Sequence, residues 1–230
     1  MPNNVCIITG AGRGIGRATA VELDRLGWRL VLVSRSIDEL RATAALCRQA
    51  IALVADVTLS GDVQGIIDSA IVEFGRIDAA VNCAGIAPNV PIATMTDEQF
   101  QQTLQTNLAH VFYMTRALWS QFKRQNGGTI VNISSLASRD PFNGFGAYAA
   151  AKAGVNLFSL VAAREGKEHN IRVHVVAPGA VETKMLRDFL PESALPRERT
   201  LDPSAIAKVI AQIVAGDLAH TSGEVIYVHK

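Results

Sequence analysis

No run of basic residues, no apolar stretch long enough to cross a bilayer, and no cysteine pair at metal or redox spacing occurs in these 230 residues. Each absence excludes a class. Lys and Arg are scattered and the net charge is +1, so the electrostatic footprint of a nucleic-acid or anionic-membrane binder is missing. The three cysteines, Cys6, Cys47 and Cys83, are odd in number, which favours a reducing compartment. The opening MPNNVCIITG has no basic leader and no apolar core of signal length, so a soluble cytoplasmic protein is expected. His110, His169, His174, His220 and His229 show no ligand spacing. They are expected to be surface or structural residues, with no metal site. No linker, repeat or low-complexity segment interrupts the chain, and one domain over 1–230 is the expectation.

What is present is apolar and alternating. The chain is 49% hydrophobic, enough to bury a full core. Seven short runs rich in Val and Ile stand at 5–9, 30–34, 51–55, 79–83, 129–134, 172–177 and 224–228. Most lack polar alternation, which suits strands buried on both faces of a parallel sheet. Helical patterns separate them near 15–26, 38–47, 60–74, 97–124, 147–168 and 203–215. The expected fold class is α/β, a doubly wound, mostly parallel seven-stranded sheet with helices on both faces. The least regular region, 183–203, holds three prolines and mixed charge and reads as a functional loop with one short helix.

The first strand runs straight into TGAGRGIGRA, with glycines at 10, 12, 14 and 16. Such a turn lets the backbone bend tightly and approach a ligand, and the helix after it offers free N–H groups to a phosphate. The spacing is looser than the strict dinucleotide fingerprint. At the end of the second strand, where an acid would favour the non-phosphorylated cofactor, stand Ser34 and Arg35. Arg35, with Arg13 from the glycine turn, suits a 2′-phosphate. The alternative is a solvated Arg35 paired with Asp38 or Glu39. The missing acid favours the phosphate, hence NADP(H). Farther on, Tyr148 and Lys152 lie four apart, on one helical face. A free tyrosine has a pKa near ~10, and a neighbouring ammonium is expected to lower it toward the operating range.

These motifs resemble, over nearly the whole chain, the short-chain dehydrogenase/reductase family in its short single-domain form, a Rossmann fold. TGAGRGIG (9–16) is similar to its T-G-x-x-x-G-x-G. ADV (55–57) is similar to its acidic adenine-side motif, and NCAG (82–85) to N-N-A-G with Cys83 replacing the second Asn. PGAVET (178–183) is similar to its nicotinamide loop. The resemblance implies a catalytic set of Asn107, Ser135, Tyr148 and Lys152, with Ser135 chosen over Ser134 and Ser138 by its place thirteen before the tyrosine. It implies cofactor contacts from Gly10, Arg13, Gly14, Ile15, Gly16, Ser34, Arg35, Asp56, Val57, Asn82, Ala84, Gly85, Tyr148, Lys152, Pro178, Gly179, Val181 and Thr183. The implied reaction is hydride transfer between NADP(H) and a carbonyl or secondary alcohol.

Within the family the pattern is most like the 3-oxoacyl-(acyl-carrier-protein) reductases, which implies a 3-oxoacyl thioester. The carrier-docking basic positions are Asn126 and His169 here, and the chain stops at YVHK before a glycine-rich tail. A small ketone, diketone, sugar or steroid stays open as the substrate. A catalytically silent dinucleotide-binding regulator is the reading from another class, and it would show a broken catalytic set. Substrate contacts are expected in 86–95, 136–146 and 183–203, with Pro88, Phe142, Phe145, Met185 and Leu186 as pocket walls or loop packing. The helix through 149–163, apolar or small nearly all round, together with the family's habit, implies a homodimer or homotetramer through the helices near 97–124 and 147–168.

Overall fold

The computed structural model describes residues 4–230. Residues 1–3, which belong to the opening expected to carry no leader and to the expected 1–230 domain span, lie outside the described residues. Seven parallel strands form one sheet in the order β3-β2-β1-β4-β5-β6-β7: β1 Val5–Thr9, β2 Arg29–Ser34, β3 Ala50–Val54, β4 Ala79–Asn82, β5 Gly128–Ile133, β6 Ile171–Pro178 and β7 Val225–Val228. The order reverses at β1, so the carboxyl ends of β1 and β4 part there and open the crevice where such sheets bind ligands.

The continuous apolar runs are explained by two-sided burial. In β1, Cys6 and Ile8 face one core with Leu23, Leu30, Leu32, Ile206 and Ile210. Val5 and Ile7 face the other, with Ile66, Met114, Leu118 and Phe122, as the two-residue period of a strand requires. Each such side chain, fully buried, contributes about 1.5–3 kcal/mol. The outer strands β3 and β7 are only partly covered, and Val54 is 57% exposed. Two-sided burial therefore holds for the inner strands, because an edge strand has a neighbour on one side only.

Helices α1 Gly14–Arg25, α2 Ile37–Ala44, α3 Ser60–Phe74, α4 Asp97–Leu104, α5 His110–Arg124, α6 Gly146–Gly166, α7 Lys184–Arg187 and α8 Pro203–Ala215 fill the connections. Most ends follow local chemistry. Asp202 caps α8 by accepting from Ser204 N–H (2.8 Å), Pro203 opens it, and Gly216 closes it at φ 95. Helix α2 stops at Ala44, short of the expected 47. There the bonds tighten, Leu46 N–H to Thr43 O and Cys47 N–H to Ala44 O. The expected helix 97–124 is likewise two helices, joined by a π-helical turn over Gln105–Ala109 with Asn107 inside it. The 183–203 segment holds α7, a 3-10 turn at Arg197–Arg199, and a single bridge between Val181 and Leu201.

Candidate active site

The glycine turn leaves β1 at Thr9 and is pressed against the end of β4. Thr9 Oγ1 accepts from Cys83 N–H (3.1 Å) and Ala84 N–H (3.2 Å). Gly10 has φ +67, and a Cβ there would stand 2.9 Å from the Ala84 backbone; one on Gly16 would stand 2.2 Å from Gly10 O. No side chain of that size fits either place. Gly14, at φ +55, faces Thr183, whose Cγ2 would lie 3.2 Å from an added Cβ. Helix α1 begins here, after Arg13, with no side-chain cap. The first N–H groups of its Gly14-Ile15-Gly16 turn are left for an anion. The turn is braced from behind by Thr43 Oγ1 donating to Ala11 O (3.0 Å) and Arg17 Nη2 donating to Gly12 O (2.5 Å). A backbone cradle of this kind fits a dinucleotide pyrophosphate.

On the far side of the cradle, Ser34 ends β2 and its hydroxyl donates to Ser36 O (3.2 Å). Arg13 pairs with Glu39 at 3.3 Å, so Glu39 engages the glycine-turn arginine rather than Arg35. Asp56 is partly desolvated, which works to raise its pKa. The Thr58 hydroxyl (2.7 Å) and N–H (3.0 Å), with the charge of Arg35, outweigh that and hold the carboxyl below its usual value. Val57 beside it is buried. Asn82, at the end of β4, is buried and donates from Nδ2 to Asn132 Oδ1 (2.8 Å). Asn132 in turn donates to Ser159 Oγ (2.8 Å). This buried chain ties β4, β5 and α6 together directly beneath the site.

Across from the cradle, four polar side chains converge at the carboxyl ends of β4 and β5. Ser135 follows β5, and its hydroxyl lies on the Tyr148 phenol side, where it pulls the phenol pKa down. Ser135 Oγ also accepts from Ala137 N–H (3.1 Å). Ser138 Oγ donates to Ser135 O (2.7 Å) and accepts from Asn156 Nδ2 (3.0 Å), which holds the serine loop to α6. Lys152 is 4% exposed. Its Nζ donates to Ile133 O (2.8 Å) and lies 5.6 Å from the centre of the Tyr148 ring. Asn107 is fully buried. Its Nδ2 donates to Ile86 O (2.9 Å) and Thr103 O (2.9 Å), and its Oδ1 accepts from Ile86 N–H (3.3 Å). Gly85 allows this convergence, since a Cβ on it would lie 2.8 Å from Asn107 Oδ1 and 3.8 Å from Lys152 Nζ.

The electrostatics correct one expectation. Burial pushes the Tyr148 phenol above its ordinary value, against the opposing pull of the Ser135 hydroxyl. Lys152 was expected to lower it. Instead burial acts on both groups, and it pushes the ammonium itself down to about 8. Burial likewise raises the Cys83 thiol to about 12, so it stays protonated. His110 is fully buried, and burial with the nearby Lys152 charge lowers it to about 3. Burial also lowers His174, to about 4. Both are neutral interior residues.

The last wall is the segment after β6. Pro178 ends the strand, and Gly179 N–H donates to Val228 O (2.8 Å). Val181 is buried beside Leu201. Thr183 caps α7, accepting from Leu186 N–H (3.3 Å). Glu182 and Arg187 form a bidentate pair (2.9 and 2.5 Å), and Thr200 donates to the same carboxylate (3.0 Å). That pairing holds the Glu182 carboxyl down at about 2. Among the five wall candidates, Leu186 and Phe145 are buried as packing, Pro88 is partly buried, and Phe142 and Met185 are open. Sequence reasoning offered Glu39 to Arg35 rather than to Arg13, and missed Phe189, Asn132 and Asn156. None carries a motif, and each acts through a contact that only folding creates.

The short chain dehydrogenase family model matches residues 4–194. The 3-oxoacyl-[acyl-carrier-protein] reductase FabG of Escherichia coli K12 is 32% identical over 232 residues, covering 98% of this chain and 95% of the relative. The short-chain reductase protein NovJ of Streptomyces niveus is 34% identical over 214 residues, covering 91% and 81%. Among solved structures, levodione reductase superposes with a TM-score of 0.94 at 30% identity, covering 100% of this chain and 97% of that one. A 3-ketoacyl-(acyl-carrier-protein) reductase from Brucella melitensis, complexed with NADH, gives 0.94 at 27% identity, covering 99% and 97%. The chain belongs to the short-chain dehydrogenase/reductase family and is an oxidoreductase that uses a nicotinamide cofactor.

Proposed function

We propose that this enzyme reduces a carbonyl at the Ser135–Tyr148 pair with NADP(H), and that residues 1–230 act as one catalytic unit with 183–203 as its substrate loop. The observation that carries the reading is the convergence of Ser135, Tyr148, Lys152 and Asn107 around Gly85, with the buried Lys152 Nζ 5.6 Å from the Tyr148 ring centre. When bound, the nicotinamide would supply the hydride. Gly10, Gly14, Ile15 and Gly16 would hold the pyrophosphate; Ser34, Arg35, Asp56 and Val57 the adenosine; and Asn82, Ala84, Gly85, Tyr148, Lys152, Pro178, Gly179, Val181 and Thr183 the nicotinamide half. The absence of an acid at Ser34, with Arg35 next to it in the chain and Arg13 in the glycine turn, supports NADP(H).

The protein's own part follows from the geometry. Ser135 hydrogen-bonds the substrate oxygen and stabilises charge developing there. Tyr148 then gives that oxygen its proton. Its raised pKa keeps the phenol protonated at neutral pH, which is the form a donor needs. Lys152 restores the phenol proton, and Asn107, held rigidly by its three hydrogen bonds, positions the route to solvent. The relatives named as 3-oxoacyl reductases support a 3-oxoacyl thioester within the range of substrates.

No helix among the described residues is long and apolar enough to cross a membrane, and the three cysteines are unbridged, which supports a cytoplasmic setting. Phe112 on α5 and Leu157 and Val161 on α6 are exposed apolar residues, which supports a homodimer or homotetramer through these helices. The test is turnover of acetoacetyl thioester with NADPH and with NADH, followed by nicotinamide absorbance. A several-fold higher kcat/KM for NADPH is expected. Equal or better use of NADH overturns the cofactor preference.

A further inference from the structure

We propose that the substrate is a free, uncharged, apolar ketone, and that Phe189 and Phe142 select it. The inference rests on the carbonyl-reductase reading above and narrows its substrate to free ketones, against the carrier thioester that the relatives' names support. Three loops border the site. The phenol of Tyr148 is backed edge-on by Phe145 (5.8 Å between ring centres). Phe145 is met by Phe189 from the substrate loop (5.0 Å) and by Phe142 (6.5 Å). Tyr148 therefore ends an aromatic cluster that reaches into two of the loops. Phe145 itself is 4% exposed and serves as backing. Phe142, by contrast, is 71% exposed, and Met185 is 37% exposed. Ile92, from the third loop, is 85% exposed and lies over Gly146, where an added Cβ would meet its Cγ1 at 3.5 Å. Exposed Phe142, Met185 and Ile92, one on each of the three loops, mark a surface awaiting an apolar ligand.

Charge at the same opening argues against an anionic carrier. Loop 86–95 has no charged residue, and loop 136–146 has Arg139 and Asp140. In 183–203, Lys184, Arg187, Arg197 and Arg199 are balanced by Asp188, Glu192, Glu198 and Asp202. The cations nearest Phe189 are already engaged: Lys184 with Asp188 (2.6 Å) and Arg187 with Glu182 (2.5 Å). Arg139 lies over the Tyr227 ring at 4.2 Å. An acyl-carrier protein or coenzyme A brings negative charge, and a surface built to receive it would offer an excess of cations. Asn126, at a carrier-docking position, takes a left-handed turn (φ 56) and accepts from Asn170 Nδ2 (3.1 Å). It adds no charge.

The test compares kcat/KM with NADPH for four carbonyls: cyclohexanone, the bicyclic 1-decalone, acetoacetyl-coenzyme A and its uncharged N-acetylcysteamine analogue. Decalone should exceed cyclohexanone by at least about tenfold, and the uncharged thioester should match or exceed the coenzyme A ester. Phe189→Ala should reduce the decalone preference about tenfold through KM. Phe142→Ala, at an exposed position that leaves the fold alone, should reduce it in the same direction. Preference for the coenzyme A ester, or a decalone ratio unmoved by both changes, overturns this inference and leaves the reductase reading standing. Failure to reduce any of the four, with NADPH binding intact by tryptophan fluorescence, overturns both.

Discussion

Replacing Lys152 by Met should make the protein more stable and less active at once. The ammonium is 4% exposed, and burial lowers its pKa from 10.5 to about 8. At 1.36 kcal/mol per pH unit, that fall corresponds to roughly 3 kcal/mol of destabilisation carried by the charged form. Methionine has a similar unbranched length and no charge to desolvate. Against the gain stands the lost hydrogen bond from Nζ to Ile133 O, worth about 1.5–3 kcal/mol for a charged donor. Lys152→Met should therefore gain up to about 2 kcal/mol at pH 7. The sign with pH is fixed. Below pH 8 the lysine is charged in both folded and unfolded chains, and the full penalty applies. Between 8 and 10.5 the folded lysine loses its proton first, so wild-type stability recovers relative to the variant as pH rises. Urea unfolding of the cofactor-free protein at several pH values measures this. A variant that is less stable at pH 7, or whose difference from wild type does not move between pH 7 and 10, refutes the reasoning.

Other expectations follow from the same contacts. Asn132→Ala strands the Asn82 amide and removes the bond to Ser159, and should cost about 2–4 kcal/mol in urea unfolding. Gly14→Ala sets a side chain at φ +55 against Thr183. It should weaken NADPH binding about tenfold by fluorescence titration, since left-handed backbone costs about 1–2 kcal/mol for a non-glycine residue. Glu39→Gln frees Arg13 from its 3.3 Å partner and should raise NADPH affinity by roughly two- to fivefold while leaving NADH affinity nearly unchanged; the pair is exposed, so the effect is small.

Much of the fold was legible because burial dictates it. Runs such as VCIIT and RVHVVA carry no polar alternation, and the core on both sheet faces explains why. The carboxyl end of β1, with glycines at 10, 14 and 16, marked the crevice because only glycine tolerates those close approaches. What was not legible depends on contacts between distant segments. The π-helical turn around Asn107 has no pattern of its own, and it exists where a buried amide must reach the Ile86 backbone. Phe189 carries meaning only because the loop folds it onto Phe145. The direction of the Tyr148 pKa depended on how deeply the phenol is buried. A four-residue spacing to a lysine does not encode that depth.

The most direct test is a single turnover of Tyr148→Phe. Enzyme saturated with NADPH is mixed with a ketone, and nicotinamide absorbance is followed beside a fluorescence titration of the cofactor. The account predicts NADPH affinity within about threefold of wild type and a hydride-transfer rate lowered by about 10²–10⁴, the share supplied by a positioned proton donor. A Phe variant that reduces the ketone at near wild-type rate would contradict the assignment of Tyr148 as the group that delivers the proton.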